Sequence, residues 1–384
     1  MTVLVVRLSG SYEEAGIFGI ANSICNIFFV ISCFSVRNYQ VADINNKFTN
    51  GEYITFRFIT CAISLIALTL YLIIMRYSLY IIGTVICFML LKNVEALVDV
   101  FHGIFQKAWR LDIACKSFVL RGILNLAVFS ISEYLLKNLV VSMLLTAIAS
   151  LVCALLVDFK LGFSLFKIKI QLNNKRLLKL FLLCLPLFFH GILNTLIANI
   201  PRLTAQKMLG EELFGYYSSV ATPAIAVQLA AANIFSPCIP LLSEQYMNKD
   251  KIVFKTILKM ILIVLSIGLC ALVGFEILGD WFLNLLFGEK ILAYSYLLLP
   301  AIFVSVLTAL SWYTAALFTV VEKNVAMVIS EGVITVITII LSQFLIGEFG
   351  LQGINWTLIS AYLLFIIIGF AIIILSINKN IKGI

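Results

Sequence analysis

Charge is scarce in this sequence: Asp, Glu, Lys and Arg make up only 12% of its 384 residues. With 62% hydrophobic residues and a mean hydropathy of +1.10, that is too little polar matter to cover a water-soluble surface. Histidine is rarer still, His102 and His190 alone, and none of the nine cysteines forms a CxxC pair. Neither a zinc site nor a disulfide framework is therefore expected, and the thiols read as small buried hydrophobes. There is no P-loop pattern, so the chain carries no ATPase of its own. No stretch between apolar runs exceeds about 20 residues, which leaves a soluble catalytic domain nowhere to sit.

What the sequence does have is long apolar runs. A helix rises about 1.5 Å per residue, so about 20 apolar residues cross about 30 Å of hydrocarbon. Eleven runs qualify, near 17–36, 54–75, 78–99, 117–135, 138–157, 178–200, 214–236, 255–277, 296–319, 325–346 and 352–376. Open sheet edges cannot be satisfied in lipid and the runs are too long for barrel strands, so these are helices. Placing residues 9–16 outside puts twenty of the 27 Lys and Arg residues in cytoplasmic stretches, against six outside and Lys92 within a span. This asymmetry sets the orientation, with a cytoplasmic C-terminus. The net charge of +8 then reflects topology and contact with anionic membrane lipids; no nucleic acid is needed to explain it.

One phrase occurs twice. RLSGSYEEAGIFGIANS, residues 7–23, and KMLGEELFGYYSS, residues 207–219, both run from a basic residue through a Gly and two glutamates into an apolar stretch. The second follows a complete span, whereas only MTVLVV precedes the first. The comparison reads as an all-α polytopic membrane protein of two six-helix lobes whose first helix is incomplete by roughly 22 residues. The lobes are 1–158 and 178–384, joined by a basic cytoplasmic linker, 159–177. A cleaved signal sequence is not expected, since no basic n-region or full h-region is present.

Charges within the spans are the candidate site. Lys92, Glu95 and Asp99 follow one another at i, i+3 and i+7 and share a stripe of one helix. A charge at a helix centre costs about 2.5–3.5 kcal/mol, so that stripe should face the protein interior. Lys92 could pair with Glu95, leaving Asp99 as a solvated helix end, or the three could meet substrate or ion. Glu331 lies some six residues into its span and Arg202 follows Pro201 near the outer end of another, with Arg7 as its rough counterpart. Arg37, Asp43, Arg57 and Arg121 lie at the cytoplasmic mouth, where anchoring by positive charge is the default. Lys92 is the only Lys or Arg well inside an expected span. The stretch FHGIFQKAWRLD reads as a cytoplasmic interfacial helix. Pro186, Pro201, Pro223, Pro237 and Pro300 should kink or end helices.

Several stretches resemble one known family. VRNYQVADINNKFTNGEYITFRFIT, residues 36–60, resembles its R-x-Y-Q-x-x-D…F…Y…R-x-x-T pattern. Residues 95–125, EALVDVFHGIFQKAWRLDIACKSFVLRGILN, resemble its E-x-L-x-D-x-x-x-G-x-x-Q-x-x-x-R-x-D-x-x-x-x-S-x-x-x-R-G, and PR…LGEELFGYYSSVATPA, residues 201–224, adds a third. The family is that of the polysaccharide (O-antigen or capsule) repeat-unit flippases of the multidrug/oligosaccharidyl-lipid/polysaccharide exporter superfamily. The resemblance implies a non-enzymatic transporter that moves an undecaprenyl-diphosphate-linked oligosaccharide from the inner to the outer leaflet of a bacterial plasma membrane. No cofactor is implied, and coupling to an H+ or Na+ gradient is left open. Partners would be the lipid-linked oligosaccharide and membrane lipids, with a polysaccharide polymerase and a chain-length regulator as neighbours. Candidates for the translocation cavity are Lys92, Glu95, Asp99, Arg121, Arg202, Glu331 and Arg7, with Arg37, Asp43 and Arg57 as candidates for a cytoplasmic gate.

Two rivals stand beside this reading. A drug or cation antiporter of the same superfamily shares the architecture and differs in cargo. A glycan polymerase needs a large outer loop bearing Arg or His, whereas the longest outer stretch, 277–295, holds only Lys290 among basic residues. The charge asymmetry itself can be tested by cysteine labelling with an impermeant reagent in intact cells. Positions 170 and 250 should be protected and positions 210 and 285 accessible; the reverse pattern would sink the orientation.

Overall fold

The computed structural model describes residues 1–43, 46–166, 174–235 and 238–382, the side chains of 231–234 and 382 apart. Lys167 and Lys169 of the expected linker, and Pro237, lie outside the described residues. The first nine helices are α1 (Thr2–Ser9), α2 (Tyr12–Cys33), α3 (Val36–Ala42), α4 (Asn50–Ile74), α5 (Leu79–Lys107), α6 (Leu111–Leu136), α7 (Leu139–Ala154), α8 (Lys160–Phe166) and α9 (Asn174–Leu209). The remaining seven are α10 (Glu211–Val220), α11 (Thr222–Phe235), α12 (Ile239–Met247), α13 (Ile252–Phe287), α14 (Leu298–Val320), α15 (Asn324–Phe349) and α16 (Gln352–Lys382). A π-helical turn, Leu155–Phe159, joins α7 to α8, and a 3-10 stretch, Glu289–Leu297, leads into α14. There is no strand among the described residues, and the fold is the all-α polytopic one that the apolar runs demand.

Ten helices among the described residues are long and apolar enough to cross a membrane. The eleventh expected span, 214–236, is divided into α10 and α11. Pro223 lies just past the break and has no N–H to offer the carbonyl four residues earlier. Proline acts less uniformly than the sequence leads one to expect. α9 runs on as one helix through Pro186 and Pro201, while Pro300 sits in the first turn of α14, where its missing donor costs little.

Helix ends follow local chemistry. Thr49 and Glu52 form a reciprocal capping box that starts α4 at Asn50, and Ser78 and Asn138 cap α5 and α7 by accepting from the N–H of Ile81 and Val141. The repeated phrase does the same work twice. Gly10 (φ 70°) closes α1 and Gly210 (φ 90°) closes α9, each donating its N–H to the carbonyl four residues back. A helix led by two glutamates starts next, which places carboxylates at the positive helix end.

By its internal contacts the chain forms two compact units, essentially Val3–Thr195 and Leu196–Ile384. The division falls inside α9. In the first unit α5 is the central helix, packing on α2, α4 and α7, and α6 packs on α7. In the second, α14 packs on α11, α13 and α16, and α15 packs on α16. Counted along each lobe, the same pairs recur. The first unit's aromatic core gathers at one end, where Phe34, in left-handed conformation between α2 and α3, stacks on Phe188 and Phe181 at 4.3 and 4.9 Å. Ile66, Ile74, Ile123, Leu269, Ile277 and Ile340 stand out from the surface, as suits contact with lipid.

The stretch read as an interfacial helix is instead the last turns of α5. Phe101, Ile104 and Phe105 are buried in the aromatic core, and nothing in VFHGIFQK breaks the helix. Asp99 is consequently two turns inside α5 and is not a solvated helix end.

At the α15–α16 corner a Cβ on Gly353 would land on backbone, 2.6 Å from Ile346 Cα and closer still to Leu345. Backbone cannot swing aside as a side chain can. Gly353→Ala should cost about 1–3 kcal/mol and lower the thermal midpoint of the purified protein. Gly274→Ala, where a Cβ meets nothing within 4 Å, should leave it unchanged or slightly raised.

Candidate functional site

Inside the first unit α2, α3, α5 and α6 enclose a cavity of about 490 Å³, lined by Phe29 and Cys33, by Arg37, by Lys92, Glu95, Asp99 and His102, and by Phe118, Arg121, Gly122 and Asn125. Helical spacing explains the lining. The α5 residues recur at i, i+3, i+7 and i+10, the α6 residues at i, i+3, i+4 and i+7, so one face of each helix meets the other across the void. Gly122 keeps it open, since a Cβ there would have no neighbour within 4 Å.

Three ionic groups line or flank this cavity. Lys92 donates to Glu95 at 2.9 Å, and its ammonium lies 5.3 Å from the Phe29 ring centre and 5.6 Å from that of Phe88. Asp99 accepts from Arg37 at 2.9 Å and from Arg57 at 3.1 Å, while Arg57 also donates to the Ser32 carbonyl at 2.9 Å. The third group centres on Asp158 of the π turn, which is fully buried. It accepts from Ser117 Oγ at 2.7 Å, lies 3.2 Å from His102 Nε2, and has Arg121 Nε at 4.0 Å. Asn93 ties helices together below, accepting from Ser32 at 2.7 Å and donating to the Cys61 carbonyl.

Four cations (Arg37, Arg57, Lys92, Arg121) thus face three carboxylates (Glu95, Asp99, Asp158). The balance is positive by one with His102 neutral. Lys92 is not the sole cation well inside a span: α4 and α6 begin four and six residues earlier than their apolar runs, at Asn50 and Leu111, which places Arg57 and Arg121 about two turns or more from the helix start. The capping box makes the difference for α4.

The remaining sequence candidates go elsewhere. Asp43 is a loop anchor, accepting from the N–H of Lys47 and Phe48 and from the Tyr53 hydroxyl at 2.9 Å. Burial alone would raise its pKa, but those three donors and the charge of Lys107 hold the carboxyl below its ordinary value. Arg7 is exposed in the last turn of α1. Arg202 and Glu331 belong to the second unit: Arg202 is half-buried within electrostatic range of Tyr217 and Tyr362, and Glu331 is fully buried on α15. No group of three His, Cys, Asp or Glu able to hold a metal occurs among the described residues.

Sequence reasoning passed over His102, Ser117, Asn125 and Asp158. For His102 the signal was present, as it continues the Lys92 stripe. Asp158 could not be paired from sequence, because its partners lie 37 to 56 residues away on two other helices.

The family described as "Polysaccharide biosynthesis protein" matches residues 11–296. The capsular polysaccharide biosynthesis protein CapF of Staphylococcus aureus is 28% identical over 296 residues, 75% of this chain and 72% of that one. An inward-facing multidrug resistance MATE family transporter of the MOP superfamily superposes with a TM-score of 0.77 at 15% identity, covering 99% of this chain and 94% of the other. A MATE protein in its bent conformation gives 0.64 at 15% identity, with 99% and 91% covered. The Vibrio cholerae MATE transporter VcmN gives 0.63 at 13%, with 100% and 92% covered. These identities speak for a shared fold, and the family match speaks for the biosynthetic setting. The chain belongs to the polysaccharide biosynthesis protein family, and it is a multi-pass membrane protein with the fold of the MATE transporters.

Proposed function

We propose that the protein flips an undecaprenyl-diphosphate-linked oligosaccharide repeat unit from the inner to the outer leaflet of a bacterial plasma membrane, with its C-terminus in the cytoplasm. The observation that carries this reading is the cavity of about 490 Å³ with excess positive charge inside a membrane-embedded unit. A diphosphate needs fixed cations where water is scarce. The glycan needs a hydrated space, and this cavity lies within the range of about 300–1,000 Å³ common for small-molecule sites. The polyprenyl tail can stay in lipid. Surface polysaccharide assembly, the setting of both the family and CapF, requires such a step, with a polymerase and a chain-length regulator acting on the product.

No bond is made or broken in the transfer, so no catalytic constellation is called for. A drug or cation antiporter would share the fold but would want carboxylates in excess for its cargo. Charge therefore favours the anionic cargo. H+ or Na+ coupling remains a matter for transport assays across imposed gradients.

Lys92 is the cation to test first, because its partner Glu95 is half-exposed and lies on the same helix, so cargo could displace it without disturbing helix packing. Losing a charge-assisted contact of about 1.5–3 kcal/mol should weaken diphosphate capture by about ten- to a hundredfold. In a strain lacking its own flippase, Lys92→Ala should abolish surface polymer and leave lipid-linked oligosaccharide on the cytoplasmic leaflet, while Lys92→Arg retains part. Normal polymer from the double change Lys92→Met with Glu95→Met, at normal protein level, would reduce the pair to a structural one.

A further inference from the structure

Asp158 is the one fully buried carboxylate among the three around the cavity, and it sits on the one π-helical turn among the described residues. Such a turn adds a residue and rotates the next segment by about 100° relative to the preceding helix, a distortion found mostly where a side chain must be aimed. Here the carboxylate is aimed at α5 and α6. Its oxygens are already engaged, Oδ2 by Ser117 at 2.7 Å and Oδ1 by His102 at 3.2 Å. Arg121 is left the third place. At 4.0 Å its Nε is beyond hydrogen-bonding distance, so the attraction is Coulombic alone.

Arg121 is correspondingly under-committed. The residue is only 6% exposed, its Nε has no hydrogen-bond partner, and it lines the cavity. A desolvated guanidinium with idle donors is a strong anion binder, because a phosphate oxygen restores what burial took away. A carrier must also let go. A carboxylate fixed 4.0 Å behind the guanidinium lowers the anion's advantage without occupying the donors, and it takes the charge back when the anion leaves.

We propose that Asp158 is a positioning residue for anion transfer: it holds Arg121 at the cavity wall and moderates its charge, while His102 limits that moderation by competing for the same carboxylate. This rests on the reading that the cavity receives a diphosphate. The other charges near the network are Lys92, Glu95 and Asp99 on the α5 stripe and Arg37 on α3, with the Cys153 thiol of α7 close to Asp158 and Arg121. None of the other cavity charges is in an ion pair with Asp158 among the described residues.

The two partners should respond with opposite sign. Asp158→Asn keeps the shape and removes the opposing charge, so anion binding tightens while turnover falls. His102→Phe keeps bulk beside Phe105 and removes the hydrogen-bonding partner at Oδ1, leaving more of the carboxylate's charge to Arg121, whose Nε lies 4.0 Å from Oδ2, so binding weakens. The experiment uses the full chain in lipid nanodiscs with undecaprenyl diphosphate as probe, together with the transbilayer flipping rate of the same probe in proteoliposomes. Expected is a dissociation constant about tenfold lower for Asp158→Asn, equivalent to about 1.4 kcal/mol, with a lower maximal rate. His102→Phe should give a constant higher by about threefold, and Arg121→Gln should bind weakly whether or not Asp158 is also changed. A purely structural Asp158 would lower yield and leave the dissociation constant of the folded fraction unchanged. That result, or shifts of the same sign from Asp158→Asn and His102→Phe, would overturn the proposal. Absence of binding by the unmodified protein would instead overturn the diphosphate reading itself and the proposal with it.

Discussion

The carboxylate of Asp99, gripped by Arg37 and Arg57, is the contact on which the first unit's cavity depends. It joins α3, α4 and α5 at one point, and Arg57 carries the link on to α2 through the Ser32 carbonyl. Arg57 is wholly buried, so removing either partner would strand a charge away from water, a far larger cost than the pair itself contributes. Asp99 and Arg57 are thus part of the frame, and Asp99 is also part of the cavity wall. With that corner fixed, the stripe of α5 above it has no freedom to turn, and Lys92, Glu95 and His102 must face α6.

Helix identity and approximate span were legible because a bilayer enforces a length and a composition that few sequences meet by accident. The paired Gly-Glu-Glu phrases marked helix ends by a mechanism that acts within four residues, while the Thr49–Glu52 capping box, equally local, went unread and the span was started at 54. What failed was inference from apolarity about where a helix stops. Arg57 and Arg121 looked like interfacial anchors because their spans were started at 54 and 117, only three and four residues before them. The helices begin earlier, at Asn50 and Leu111, and ion pairs with Asp99 and Asp158 hold the two arginines deeper inside. The same error made an interfacial helix of FHGIFQK, whose aromatic face is covered by Phe159, Phe163 and Phe166 from a segment some sixty residues on. Those partners are tertiary facts. No local pattern holds them.

The two units repeat their packing order but not their polar chemistry. In the second unit Asn355, fully buried, accepts from the Tyr217 hydroxyl at 3.0 Å and donates to the Leu297 carbonyl, a tie made of neutral groups where the first unit uses Asp99 and arginines. Neutral ties cost less to bury than ions; the second unit nonetheless keeps one carboxylate, Glu331, fully buried.

A net excess of one positive charge is also a magnitude with consequences. Two opposite charges at 4 Å interact by about 4 kcal/mol at an effective dielectric of 20, and each added cation would deepen the well for a diphosphate by an amount of that order. A cavity with four free cations would attract the anion and keep it. A cavity with every cation neutralised would leave it in water. Three carboxylates shared among the four cations put this cavity between those limits. The pairings also differ in kind: Glu95 shares a helix with Lys92, Asp99 is shared between two arginines, and Asp158 stands off from Arg121 beyond hydrogen-bonding distance. The cation held most loosely is also among the most deeply buried, where the field on an entering phosphate is screened least. Depth and loose pairing together set Arg121 apart from the other three cations.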